Sequence, residues 1–352
     1  MDALAEILGR SPEMFPYVLD ASNDTVSFIR LSRADYEKAS FLDARILTPS
    51  TSAREVSWRE AAAAIEAAEL AERTGFIFHI GHVGSTLLSR LIGAHAGAFS
   101  LREPLILRLF AQLHSEPEAR PRRWTEEDLE ARMSGCLKLL SRTFDAGQRP
   151  VVKTTSFVSE LSAELLKRAS APRAITMYVS PESYLATILG GPNSRKEARV
   201  LAASRLRRLH RRVGHEAWRL ASLSEGESLA LGWACEVSAL ALAASAAGER
   251  ILRIDFDGFL ADPPALLHAA LRHFNIDATA DDVGAILRGP HLHRYSKAPE
   301  HGYDAALRRE VLDEARTVHA AEISRGLAWL DRAAAEFLPV RAALKFAGAA
   351  GA

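Results

Sequence analysis

The alternation of apolar and polar stretches along the chain predicts short buried strands that are each followed by a helix. The clearest unit begins at residues 76–80, an apolar run typical of a buried parallel strand. Apolar residues within 87–92 then recur at the spacing of a helix that buries one stripe. A short loop containing Gly81 and Gly84 joins the two segments. The pattern therefore predicts a strand, a glycine loop and a helix in direct succession.

This arrangement is typical of a loop that binds an anion, usually a phosphate, with backbone N–H groups and a helix N-terminus. Ser85 and Thr86 add two hydroxyl groups at the predicted helix start. The alternative is an ordinary turn, in which Gly81 and Gly84 only permit positive φ and the hydroxyls only cap the helix. The correct context on both sides of the loop favours the anion site.

Further strands are predicted at residues 98–101, 150–153, 174–179 and 251–255. In an open parallel sheet, ligands bind at the carboxyl ends of the strands, so residues that directly follow a strand are candidates for the site. Glu103 and Lys153 are such residues. The alternatives are that Glu103 forms a structural salt bridge with Arg102 or Arg108, and that Lys153 lies on the surface.

The remaining chain supplies the predicted periphery. Residues 1–75 are expected to form an N-terminal extension on the core, with short strands at 26–31 and near 41–47 and a helix capped by Ser57 with Glu60. Thr125 and Asp128 predict a second capped helix. One α/β domain is expected over 76–340. A loop should precede a helix starting near Pro263 and Pro264, two helices should finish the domain, and 341–352 should be a frayed tail.

Composition limits the possible functions. The 352 residues carry 44 Lys and Arg against 44 Asp and Glu, so overall charge favours neither nucleic acid nor an anionic membrane as a partner. Two cysteines do not make a disulfide framework. The first residues lack the pattern of a signal peptide, and charges interrupt the apolar stretches before membrane-span length. A soluble, cytoplasmic protein without a membrane span is expected.

The loop lacks the lysine of a nucleotide-hydrolysing P-loop, because Ser85 directly follows Gly84. With that departure, the run from Gly81 to Pro104 (GHVGSTLLSR … LREP) resembles the donor-binding start of the sulfotransferase superfamily. His82 stands where that superfamily has Arg or Lys, residues 84–86 match Gly-Thr-Thr, and Glu103 matches the acidic base of the protein-tyrosine branch. The same stretch is also similar to the sequences of bacterial sulfotransferase-like proteins.

The resemblance implies a three-layer, P-loop-like α/β fold with a central parallel sheet flanked by helices. It also implies the donor 3′-phosphoadenosine 5′-phosphosulfate (PAPS), whose spent form is adenosine 3′,5′-bisphosphate (PAP). Glu103 would be the base, and His82 and Lys153 would be the cations at the bridging oxygen. For His82 the alternative is a helix cap or a solvent-facing loop residue. The residues expected to bind the donor are Gly81, Val83, Gly84, Ser85, Thr86, Thr187 and Arg195.

In the superfamily, a second strand–turn–helix holds the 3′-phosphate with an arginine and a serine. Val179 and Thr187 occupy these places here, so the arginine is missing. The resemblance leaves room for a lid formed by the arginine-rich helix after residue 191, including Arg195, although a solvated helix face explains its charge equally well. The segment 291–303 could also close over the site.

Two other functions stay open from the sequence. A P-loop phosphotransferase could hold Mg²⁺ on Asp255 or Asp257, and a non-catalytic protein could have kept the fold without its donor. No metal is predicted, with His291 and His293 as spare candidates, and His79 is expected to be a satisfied core histidine. The acceptor is expected to be a small molecule or peptide, and a homodimer is possible.

Overall fold

A computed structural model of the chain describes residues 3–291 and 305–348. Within these residues the strands are β1 (Met14–Asp20), β2 (Thr25–Arg30), β3 (Ala53–Ser57), β4 (Gly75–His79), β5 (Ala98–Arg102), β6 (Arg149–Lys153), β7 (Ala174–Tyr178) and β8 (Ile251–Asp255). The helices are α1 (Ala3–Arg10), α2 (Arg33–Lys38), α3 (Trp58–Ala67), α4 (Ser85–Gly93), α5 (Leu107–Ser115), α6 (Glu126–Leu140), α7 (Ser162–Leu166), α8 (Pro181–Leu189), α9 (Pro192–Val213), α10 (Glu225–Ala247), α11 (Phe256–Ala261), α12 (Pro263–His273), α13 (Ala280–Arg288), α14 (Ala305–Val318), α15 (Ala320–Glu336) and α16 (Leu338–Phe346).

Five strands form a parallel sheet in the order β5-β6-β4-β7-β8. β4 lies at its centre, with Ile77 opposite Lys153 on one side and Ile175 on the other. All five residues of β4 are buried, which explains its continuous apolar run, because helices cover both faces of such a sheet. The predicted three-layer α/β fold with a central parallel sheet is therefore confirmed.

Helices pack on the sheet in two groups. α4 contacts β4, β5 and β6 together with α12, while α10 packs against α7, α8, α9, α15 and α16. By length and composition alone, the segment Glu225–Arg250 could cross a membrane, but 72% of its most apolar window is buried inside the fold. It therefore has the surroundings of a core helix.

The N-terminal extension forms a separate antiparallel sheet in the order β1-β2-β3. The predicted strand at 26–31 is confirmed as β2, and Ser57 caps α3 by a reciprocal pair of bonds with Glu60. The strand expected near 41–47 is wrong. That segment contains a 3₁₀ turn at Ala44–Ile46, and the strand that pairs with β2 is β3.

Three predictions near the C-terminus need correction. The segment before Pro263 is the helix α11 and not a loop, because the Asp255 carboxylate accepts from the Gly258 N–H and caps it. Three helices, and not two, occupy residues 305–348. The frayed tail does not begin at residue 341, because α16 continues to Phe346 with Val340 and Leu344 buried. The expected closing segment 291–303 lies outside the described residues except for His291.

Candidate active site

The loop between β4 and α4 has an unusual backbone. Gly81, His82 and Gly84 all have positive φ, at 85°, 56° and 65°. His82 is not a glycine, so its left-handed conformation is strained by an amount on the order of 1–3 kcal/mol. Such strain often accompanies a functional loop, and this loop lies at the carboxyl end of β4, where the main sheet ends.

Gly84 is required by packing as well as by φ. A Cβ built on Gly84 would lie 2.0 Å from Cε2 of Phe256, far inside any tolerated contact. Phe256 begins α11, directly after β8, so the loop is pressed against a second strand end of the same sheet. The glycine spacing found in the sequence is therefore dictated by a close approach that only a missing side chain allows.

The start of α4 carries polar groups without partners. Gly84 occupies the N-cap and offers no side-chain bond to the first turn. Thr86 is only 2% exposed, and within the described residues its buried Oγ1 has no hydrogen-bond partner. A buried hydroxyl without a partner costs about 1–3 kcal/mol. An anion bound at this helix start would satisfy Thr86 and the first N–H groups together.

Two loop residues predicted to bind the donor have other contacts. The Gly81 N–H donates to Nδ1 of His79 at 2.9 Å, and Nε2 of His79 lies 2.8 Å from the Thr154 carbonyl. This pairing confirms His79 as a satisfied core histidine. Val83 is 1% exposed, so its side chain belongs to the core and only its backbone can face a ligand.

Glu103 and Lys153 meet at the carboxyl edge of the sheet. β5 and β6 pair Arg102 with Lys153, and the Glu103 N–H donates to the Lys153 carbonyl at 2.6 Å. Glu103 has a φ of 55°, and this turn brings its carboxylate into a close ion pair with the Lys153 ammonium. Lys153 is 1% exposed, so the surface alternative for it was wrong. Glu103 does form a salt bridge, but with Lys153 and not with the arginines considered from the sequence.

Arg102 has a different role. Its buried guanidinium bonds the carbonyls of Tyr36 and Ala39 at the C-terminal end of α2. Burial lowers the pKa of Arg102 to about 9, with a smaller contribution from nearby Arg90. Arg102 thereby ties the N-terminal extension to the edge strand of the main sheet.

His82 faces a carboxylate that the sequence did not identify. Its Nε2 lies 3.4 Å from Oε2 of Glu197, on α9. The His82 side chain is 18% exposed, so the solvent-facing alternative does not describe it. Glu197 lies 115 positions along the chain in an arginine-rich helix, and no local signal in the sequence marks it.

Arg45 also reaches this edge from the N-terminal extension. Its Nη2 lies 3.9 Å from Oε2 of Glu103, and its guanidinium stacks over the Phe41 ring at 3.5 Å. The Lys153 Nζ lies 5.6 Å from the same ring. Arg45 and Phe41 could not be placed at the site from the sequence, because they lie in a segment where a strand was expected.

The residues predicted for the 3′-phosphate are engaged elsewhere. Val179 is 1% exposed, and its carbonyl accepts from the Trp233 Nε1 at 3.1 Å. The Thr187 hydroxyl donates to the Ser183 carbonyl at 2.7 Å. Arg195 forms an ion pair with Glu225 that leaves its side chain 32% exposed.

Three of the seven arginines of α9 form a buried structural network. Arg205 and Arg208 bond the buried Glu236 carboxylate at 3.0 and 2.8 Å, and Arg208 and Arg212 both bond Glu160. Burial alone would raise the pKa of Glu236, but Arg208 and Arg205 outweigh burial and lower it. This network clamps α9 onto α10, so neither a mobile lid nor a merely solvated face describes this part of the helix.

The carboxylates considered for Mg²⁺ are also occupied. Asp255 caps α11, and Asp257 bonds the Arg308 guanidinium at 2.9 and 3.1 Å. Arg308, on α14, lies 4.9 Å from the Phe256 ring that presses on the loop. Residues 3–291 and 305–348 contain no group of three His, Cys, Asp or Glu that could hold a metal ion. His293 lies outside those ranges.

Among known proteins, the chain is similar to several solved structures. No protein-family model matches the chain, and no curated protein matches it. Among solved structures, the sulfotransferase domain of the curacin biosynthetic pathway is 15% identical and has a TM-score of 0.43, covering 71% of this chain and 98% of its own. The sulfotransferase domain of the Synechococcus PCC 7002 olefin synthase is 14% identical, has a TM-score of 0.39, and covers 70% and 88%.

A third solved structure, the sulfotransferase STF9 from Mycobacterium avium, is 13% identical and has a TM-score of 0.36, covering 70% of this chain and 77% of its own. All three are sulfotransferases, the superfamily that the loop motif resembles. Identities and TM-scores this low carry no argument about this chain. The functional argument therefore depends on the geometry of the site.

Proposed function

We propose that the protein is a sulfotransferase that moves a sulfuryl group from PAPS to a hydroxyl or amine acceptor by in-line transfer. The observation that supports this best is the buried Lys153–Glu103 pair beside an anion loop that has no lysine of its own. On this proposal, a cation and a base stand together beside the loop that would bind the donor's 5′-phosphate. Transfer of this kind depends mainly on positioning and on stabilising charge.

The loop fits the 5′-phosphate end of the donor. The orphaned Thr86 hydroxyl, the Ser85 hydroxyl and the first N–H groups of α4 are suited to phosphate oxygens. For the 3′ end, Thr187 and Arg195 remain the proposed residues. Arg195 would have to exchange Glu225 for a phosphate, and Thr187 would have to leave the Ser183 carbonyl.

Each residue at the edge has a proposed chemical role. The donor supplies an activated sulfuryl group. Glu103 accepts the proton of the acceptor's hydroxyl or amine, because its carboxylate is held at the strand end with part of its surface accessible. Lys153 and His82 offset the negative charge that grows on the bridging oxygen.

Two other functions make different predictions. A phosphotransferase would need Mg²⁺, but Asp257 is paired with Arg308 and Asp255 caps a helix. A non-catalytic protein is favoured by Val179, which replaces the expected arginine and is buried. Donor binding therefore separates all three functions.

Calorimetric titration with PAP, and in parallel with ATP and Mg²⁺, tests the proposal. We expect metal-independent PAP binding. It should weaken in Ser85→Ala and by about 10- to 100-fold in Thr86→Val, the effect of losing a hydrogen bond to a charged group. Thr176→Val is the matched control, because the Thr176 Oγ1 is also buried without a described partner but lies within β7.

Preference for ATP would move the protein to the phosphotransferases. Binding of neither nucleotide would support the third function, a non-catalytic protein that has kept the fold but no longer binds the donor. Equal losses in Thr86→Val and Thr176→Val would remove the hydroxyl of Thr86 from the site.

A further inference from the structure

The N-terminal extension forms one wall of the candidate site. The Leu42 N–H donates to the Arg102 carbonyl at 2.6 Å, and the Leu105 N–H donates to the Leu42 carbonyl at 3.2 Å. These bonds pin the segment around Leu42 across the end of β5, on both sides of Glu103 in the sequence. We call Phe41, Asp43 and Arg45 the acceptor wall.

The Arg45 guanidinium is held rigidly in the acceptor wall. Its Nε donates to Asp43 Oδ1 at 2.8 Å, and its Nη2 bonds the other oxygen of the same carboxylate. The Phe41 ring lies beneath the guanidinium plane at 3.5 Å. A guanidinium fixed by a two-point ion pair and a stacked ring loses little further freedom on binding a ligand.

The outer side of Arg45 faces solvent. The side chain is 58% exposed, and among the described residues no hydrogen bond is made by its Nη1. The bond to Asp43 raises the pKa of Arg45, with burial opposing, so the group stays cationic at physiological pH. The negative charges of Glu103 and Glu197 also raise the pKa of Arg45.

Arg45 is also adjacent to the proposed base, at 3.9 Å between Nη2 and Oε2 of Glu103. A ligand whose anionic group bonds Nη1 can therefore place a second polar group within hydrogen-bond distance of Glu103. Allowing one hydrogen-bond length to each residue, the two groups of the ligand would lie on the order of 4–8 Å apart. A carboxylate is planar and matches the guanidinium edge in geometry and charge.

We propose that Arg45 selects acceptors that carry a carboxylate a few bonds from the hydroxyl or amine that reacts. This inference rests on the proposed function, because it takes Glu103 as the base. It assigns the N-terminal extension a part in acceptor recognition and names the chemical class of the acceptor.

Calorimetry with matched probes tests the role of Arg45. The acids 3-hydroxybenzoate and 4-hydroxyphenylacetate are compared with their uncharged amides, with and without saturating PAP. In the wild type we expect each acid to bind at least tenfold more tightly than its amide. Arg45→Ala should remove that difference, and Arg45→Lys should restore part of it, since it keeps the charge without the planar fork.

Arg30→Ala is the control, because Arg30 is 84% exposed and pairs with Glu13 in the same extension at 3.0 Å. It should leave the preference for acids unchanged. Arg45→Ala should retain the thermal midpoint and the PAP affinity of the wild type, because an exposed ion pair adds only about 0–1 kcal/mol to stability.

Several results would overturn the assignment. These are equal binding of acids and amides by the wild type, no binding of either acid by protein that binds PAP, and a preference that survives in Arg45→Ala. Loss of PAP affinity in Arg45→Ala would make Arg45 a donor residue instead. A preference for acids that depends on Arg45 in a protein that does not bind PAP would refute the sulfotransferase proposal and leave the carboxylate site standing.

Discussion

Replacing Glu103 by Gln separates a catalytic role from a structural one. The Glu103 side chain is 13% exposed and its partner Lys153 is 1% exposed. The substitution keeps the size of the side chain and removes its charge. It therefore leaves the Lys153 ammonium buried opposite a neutral amide, and it removes the proposed base at the same time.

The two effects differ in kind and can be estimated separately. Removing one partner of a buried ion pair costs about 3–5 kcal/mol of folding stability, and the retained amide oxygen places this variant near the lower figure. Loss of a general base lowers the rate by about 10²- to 10⁴-fold. A loss of stability alone would not change the rate per folded molecule.

Glu72→Gln is a matched control for the structural effect. The Glu72 side chain is also 13% exposed, and it bonds the half-buried Arg168 at 2.6 and 2.7 Å. Glu72 precedes β4, whereas Glu103 follows β5. The two carboxylates therefore lie at opposite ends of the parallel strands, Glu72 at the amino end and Glu103 at the carboxyl end. We expect both variants to lose stability in urea and only Glu103→Gln to lose turnover.

The assay is single-turnover transfer of radiolabelled sulfuryl groups from PAPS to the fastest acceptor in a panel of phenols, alcohols and amines. It is run well below the unfolding midpoint of both variants, with the folded fraction measured by circular dichroism. Wild-type turnover in folded Glu103→Gln would exclude Glu103 as the base. An equal loss of turnover in both variants would show that a general loosening of the fold explains the effect.

Two further predictions concern the loop and the buried ion pairs. Gly84→Ala should destabilise the protein by about 2–5 kcal/mol, because of the left-handed φ and the clash with Phe256, and should abolish PAP binding. Gly147→Ala is the control and should have neither effect, because its Cβ would meet nothing within 4 Å. A stable Gly84→Ala protein that binds PAP would contradict the described loop. The pKa of Glu236 is lowered in the folded protein, so its ion pairs with Arg205 and Arg208 stabilise the fold at pH values above 4.5, the ordinary pKa of the carboxyl group. This stabilisation is lost as the pH falls through the pKa of the folded state. Glu236→Gln should therefore cost about 3–5 kcal/mol at pH 7 and make unfolding in urea less dependent on pH below 4.5, whereas parallel pH profiles for wild type and variant would refute this account.

Much of the main sheet could be predicted from the sequence, because its information is local. Buried parallel strands show continuous apolar runs, and a capping box shows a hydroxyl residue with an acid three positions later, as at Ser57 and Glu60. The strands of the antiparallel extension were harder to predict from the sequence. β1 includes Pro16 and a register shift, and β3 is mostly exposed, so neither shows the expected alternation.

The candidate site divides in the same way. The glycine loop, Glu103 and Lys153 could be placed together from the sequence, because parallel strands bring their carboxyl ends to one edge. For Arg195 the charge suggested a phosphate ligand, and the structure shows it paired with a carboxylate 30 positions away, Glu225. Charge is visible in a sequence, but the partner of a charge is not.

The sequence by itself determined the five strands of the main sheet, the glycine loop between β4 and α4, and the edge at which the carboxyl ends of these strands meet. Only the tertiary structure decided that Lys153 is buried against Glu103, that Glu197 faces His82, and that Arg45 reaches Glu103 from the extension. The physical reason is range. Periodicity and capping follow from neighbours within a turn or a strand, whereas these contacts join residues 50 or more positions apart, and their geometry depends on how whole elements pack.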